Sequence, residues 1–85
     1  MDDIYILVEE TLDDATIVDY CFNCYQTHDE AQQMMIFLSA NYQMSGFEIQ
    51  TMDSNSARIN YPNTKMYRYF HIVQSKMQMN LIKTP

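Results

Sequence analysis

The sequence predicts an α+β fold: a four- to five-stranded, mainly antiparallel sheet in the order β-β-α-β-(β)-β, with one helix packed on one face. Three observations predict it. Several short runs alternate in hydropathy or are rich in β-branched and aromatic residues. One stretch, "THDE", carries a complete helix-start signal. A single Gly and two Pro among 85 residues leave room only for short connections. A chain of this length builds one core, so residues 1–85 are read as a single domain.

In order along the chain, residues 4–10 (IYILVEE) form the first expected strand, with Ile4, Ile6 and Val8 on one face and Tyr5 and Leu7 on the other. A turn follows with Asp13 and Asp14 at its tip. Residues 17–26 (IVDYCFNCYQ) have no helical period and complete a hairpin, placing Val18, Tyr20, Phe22 and Cys24 together and Asp19, Cys21, Asn23 and Tyr25 opposite. Thr27 and Glu30 then make a capping box, in which the hydroxyl takes the Glu30 amide and the carboxylate reaches back. Asp29 and Glu30 add negative charge where the helix dipole favours it. The helix is expected over 28–42, with Ala31, Met34, Met35, Leu38 and Tyr42 on its buried stripe, and Gly46 stops it.

Residues 47–52 and 66–74 read as further strands, and 57–61 as a short one between them. Residues 76–85 fit either an edge strand or a frayed tail. With the helix on one side only, the other side of the sheet is expected to carry Tyr5, Leu7, Cys21, Tyr25, Tyr67, Tyr69 and Val73. That is unusually apolar for a solvated face.

Composition narrows the function classes. Hydrophobic residues make up 47% and aromatics 13%, which argues for a packed core over disorder. Two cysteines are too few for a disulfide framework, and eight methionines suit a reducing compartment. The first ten residues carry acids where a signal peptide needs bases, and no apolar run approaches a membrane span. The expected location is the cytoplasm.

Charge is laid out unevenly. All eleven acids lie between Asp2 and Asp53, and all five bases (Arg58, Lys65, Arg68, Lys76, Lys83) come after them. Two outcomes follow from this. Acidic and basic strands become neighbours and pair across the sheet, or an electronegative surface engages a basic partner.

The stretch "YCFNCYQTHDEA" (20–31) raises a metal or redox site, because Cys21, Cys24 and His28 fall close together in sequence. Strand geometry opposes it. Residues three apart face opposite sides with Cα atoms ~10 Å apart, whereas a disulfide needs them within about 7 Å. The residues have no second paired motif for zinc, no phosphate loop and no hydrolase or protease signature. No catalytic residue, cofactor or metal is therefore expected, and Cys24 is expected inward with Cys21 half-exposed.

The expected function is a non-catalytic protein-binding module, of the kind phages use as small accessory or anti-defence inhibitors. It would dock on a larger protein with a basic surface, or on a second copy as a homodimer. The candidate contact residues are Tyr5, Tyr25, Tyr67 and Tyr69, with Asp2, Asp3, Glu9, Glu10, Asp13 and Asp14 as electrostatic partners. Two alternatives are a nucleic-acid mimic built from the acids and a weak nucleic-acid binder using the 65–76 strand, where Tyr67, Tyr69 and His71 could stack bases.

Overall fold

The computed structural model describes residues 3–76. Its elements follow the expected order: β1 (Asp3–Asp13), β2 (Thr16–Tyr25), α1 (His28–Met44), β3 (Glu48–Met52), β4 (Ser56–Asn60) and β5 (Met66–Lys76). The short run around 57–61 does pair as a strand of its own. All neighbours are antiparallel, and the strand order is β2-β1-β5-β4-β3. β5 ends at Lys76, so most of the 76–85 reading lies outside the described residues.

The first and last strands meet at the centre of the sheet. Their ladder runs unbroken from Asp3↔Lys76 to Asp13↔Met66. The acid-bearing start of the chain thus lies against its base-bearing end, as the first outcome of the charge layout requires. A two-residue turn links β1 to β2, with Asp14 at φ 60 supplying the left-handed backbone such a hairpin needs. Thr11 pairs with Asp19 and Leu12 with Ile17, so Val18 is an extra residue that bulges out of β2. A second bulge at Gln50 interrupts β3.

The helix starts where the capping box places it. The Glu30 amide donates to Thr27 Oγ1 at 3.1 Å, and that hydroxyl donates to Glu30 Oε1 at 3.2 Å. It ends before Gly46, whose φ of 97 lets the chain reverse into β3. Between β4 and β5, Pro62 fixes its own φ and Asn63 takes φ 60, the pair a type II turn favours. Asp53 organises the β3–β4 loop: its carboxylate accepts the amides of Asn55 and Ser56, both at 2.8 Å. Those backbone hydrogen bonds hold its carboxyl below the usual range.

The core lies between α1 and the β1-β5-β4 centre of the sheet. Leu7, Met35, Ala57, Ile59 and Phe70 are fully buried there, flanked by Met34, Leu38, Tyr42, Phe47, Ile49 and Ile72. The expected helical stripe is present, but its innermost row is Ala31, Met35 and Ser39. Two of those three side chains are small, which lets the helix backbone approach the sheet closely. On β5 the core takes Phe70 and Ile72, leaving Tyr69 and Val73 on the other side.

Candidate protein-contact face

Antiparallel register fixes which side chains share a face, because partners point the same way and neighbours along a strand point oppositely. Leu7 is in the core, so odd residues of β1 face the helix and even residues face away. The uncovered face can be written row by row. One row joins Cys24, Ile6 and Val73, and the next joins Phe22, Val8, His71 and Ser56. The third joins Tyr20, Glu10, Tyr69, Arg58 and Thr51, and the fourth joins Ile17, Leu12, Tyr67, Asn60 and Glu48.

This corrects half of the sequence-based assignment. Tyr67, Tyr69 and Val73 do lie on the uncovered face, but Tyr5, Leu7, Cys21 and Tyr25 lie on the helix side. Tyr5 meets the His28 ring edge-on at 5.8 Å, and Tyr25 packs against the core. The helix chose the Tyr5–Leu7 face of β1 because Phe70 and Ile72 of β5 project on that side. The uncovered face therefore takes the β-branched set Ile4, Ile6 and Val8, which sequence reasoning had turned inward. Phe22 was legible from the alternation of β2 once its face was chosen correctly.

The face is apolar over β2 and β1 and becomes aromatic and cationic over β5 and β4. Ile17, Tyr20, Phe22 and Val73 stand well exposed, Phe22 at 56% and Val73 at 42%. Tyr69 stacks on His71 with ring centroids 5.1 Å apart, and the Arg58 guanidinium sits 3.8 Å from the centre of the Tyr67 ring. Glu10 lies against His71, with Oε1 to Nε2 at 3.1 Å. A shallow hollow of about 250 Å³ opens between Glu10, Leu12, Thr51, Arg58, Tyr67 and Tyr69. Arg58 also lines a hollow of about 370 Å³ with Lys65 at the β4–β5 turn.

The acidic candidates separate just as the tyrosines do. Asp13 and Asp14 are exposed at the hairpin tip, beside the Leu12–Ile17 end of the uncovered face. Asp3 accepts a hydrogen bond from Gln74 at 2.7 Å, and Asp2 lies outside the described residues. Glu9 is not a surface acid: it is 7% exposed beneath the helix. There its Oε1 accepts from Arg68 Nη2 at 3.0 Å, and Arg68 Nη1 donates to Thr11 Oγ1. Burial works against the Arg68 charge most strongly, but the hydrogen bond to Glu9 together with the charge interactions with Tyr42, Glu9 and Tyr61 outweighs it and holds the guanidinium above its ordinary value. Sequence alone showed no pattern that would have marked Glu9 as internal.

Cys21 and Cys24 are free thiols on opposite sides of an extended strand. Cys24 is exposed on the uncovered face instead of inward, again because the helix took the other side. Cys21 lies across from Glu9. Desolvation, the Glu9 charge and a hydrogen bond to that carboxylate all push its thiol pKa up. Raising the pKa leaves less thiolate near neutral pH, so Cys21 is expected to alkylate more slowly than an ordinary exposed thiol. Glu9→Gln should speed it. Iodoacetamide labelling read by peptide mass spectrometry checks this, and equal rates with and without Glu9 would refute it.

Among the described residues, no helix is long and apolar enough to cross a membrane. No family model, curated protein or solved structure gives a significant match to this chain.

Proposed function

We propose that this protein is a non-catalytic protein-binding module whose contact surface is the uncovered face of its sheet. One observation carries the reading. Ile6, Val8, Phe22 and Val73 form an apolar surface, with Tyr69 beyond His71, and no described residue packs on it. A sheet with one solvated side ordinarily alternates apolar-in and polar-out, and an apolar surface of this extent marks an interaction site. Tyr67 and Tyr69 suit such a site because they combine apolar area with a polar tip and little rotamer freedom. The exposed acids Asp13 and Asp14 border it and would steer a basic protein partner toward it. A small accessory or inhibitor protein acting by occupation of a partner, with no chemistry of its own, fits these features.

The test is the double substitution Tyr67→Ala, Tyr69→Ala. Self-association or partner retention in a pull-down is expected to fall by about tenfold or more, with the far-UV circular dichroism unchanged. Unchanged sedimentation and unchanged retention would remove the sheet face from consideration.

A second reading is favoured by the stacked Tyr69–His71 pair and the Arg58–Tyr67 contact. Aromatics beside a cation on an open sheet can stack unpaired bases. Arg58 and Lys65 give it only a weak electrostatic footprint in a chain of net charge −6. A mobility shift with single-stranded oligonucleotides at low salt separates the readings: a retarded band would favour this one. The mimic alternative asks for rows of surface acids, and Glu9 is paired internally.

A further inference from the structure

Resting on the reading of the uncovered face as a contact surface, we infer that its occupant is a second copy of this chain, packed face to face into a two-sheet sandwich. The first argument is charge. The protein carries a net −6, so two copies repel wherever acids meet acids. The uncovered face escapes that penalty. Among the described residues its carboxylate, guanidinium and imidazole groups are Glu10, Glu48, Arg58 and His71, with Glu10 already against His71. The other described acids stand on the helix, on the helix side of the sheet, or in turns. Asp13 and Asp14 only border the face and could attract a basic partner to its rim, while the face itself has almost no acids to pair with one. A near-neutral apolar face in an acidic chain matches another near-neutral apolar face.

The second argument is size. The molecule measures 47 × 27 × 16 Å, so one broad side offers roughly 1,200 Å² in outline, against the ~800 Å² per partner that a standard interface buries. Ile4, Ile6, Val8 and Leu12 of β1 and Val73 of β5, with Tyr67 and Tyr69, flank the Glu10–His71 pair on this face, at positions a sheet-on-sheet core would use. The third argument is self-complementarity. A two-fold contact requires one patch to fit itself. Here Ile6, Val8, Phe22 and Val73 form one apolar portion of the patch, while aromatic and mixed-charge groups lie toward β4. The dimer would leave both helices and both acidic hairpin tips outward. A basic third party would then meet two acidic tips on one particle.

The experiment uses the full chain in analytical ultracentrifugation across micromolar concentrations. Wild type is expected to sediment at twice the chain mass. Phe22→Glu and Val73→Glu, both at exposed positions that leave the core intact, are each expected to weaken dimerisation by about 100-fold or more with an unchanged circular dichroism spectrum. Asn23→Glu, exposed on the helix side of the same strand, should remain dimeric. A monomeric wild type would overturn the second-copy inference. If that monomer still lost partner retention on Tyr67→Ala with Tyr69→Ala, the contact-face reading would survive without it. A dimer indifferent to Phe22→Glu and Val73→Glu would overturn the face-to-face arrangement.

Discussion

Phe70→Ala is expected to leave the protein largely unfolded at physiological temperature. Phe70 is fully buried at the centre of the molecule, on the middle strand of the sheet. Ala57 and Glu9 are its cross-strand neighbours, and Leu7, Met35 and Ile59 pack in the same cluster. The small Ala57 side chain leaves the space that the ring fills, and the Tyr42 ring closes over it at 6.2 Å. Removing a buried phenylalanine costs about 3–5 kcal/mol, because lost transfer energy adds to a cavity that incompletely collapses. Domains hold only ~0.05–0.15 kcal/mol per residue of net stability, and among the described residues six hydrophobic side chains are fully buried. The loss is therefore comparable to the whole. Urea unfolding read by circular dichroism gives the midpoint. The contrasting substitution Phe37→Ala, on the exposed side of α1, should cost less than about 0.5 kcal/mol. A Phe70→Ala loss below about 1 kcal/mol would show that the helix does not rest on this ring.

The second large effect comes from the ion pair beneath the helix. Glu9→Ala alone is expected to destabilise by about 3–5 kcal/mol, because it strands the Arg68 charge in a buried site. Both side chains are largely removed from water, at 13% and 9% exposure, so solvent cannot take over. Arg68 Nε is buried without a partner among the described residues, and the guanidinium's contacts there include Glu9, Thr11 and the Tyr42 ring 5.7 Å away. Glu9→Leu combined with Arg68→Met removes both charges and keeps apolar volume, and most of the loss should return. A double-mutant cycle by chemical unfolding measures this. Effects that add within about 0.5 kcal/mol would mean the two residues do not act as a unit.

The fold was legible because its signals are local. Alternation in 4–10 and 66–74 marked strands, and Thr27 with Glu30 marked the helix start to the residue. What the sequence concealed was which side the helix would cover. Both faces of β1 are apolar at its start, Ile4–Ile6–Val8 against Tyr5–Leu7, so the strand alone offers no choice. The choice is made across the sheet, where Phe70 pairs beside Glu9 and aligns Arg68 with Thr11. That register joins residues about sixty positions apart, and no local pattern encodes it. The candidate site inherited the ambiguity. Tyr67 and Tyr69 were placed on the uncovered face, while Tyr5 and Tyr25 went to the wrong side with β1. Glu9 was miscounted as surface charge because a buried acid is recognisable only through its partner.

The extra residue in β2 has a consequence for how assembly stops. β2 is one of the two edge strands, ten residues long and exposed almost throughout, and it contains neither Lys nor Pro to discourage another chain from adding to it. A flat edge of that kind is a template for endless strand addition. The bulge at Val18 twists the strand near its start and breaks the regular run of free amides and carbonyls there. Only the stretch from Asp19 to Tyr25 stays regular, and it ends directly at the capped helix. Edge pairing on β2 is confined to that stretch, and β3 at the other edge is five residues long and interrupted at Gln50. The irregularity nearest the hairpin tip thus shortens the edge that this acidic, aromatic-rich chain leaves open to strand addition.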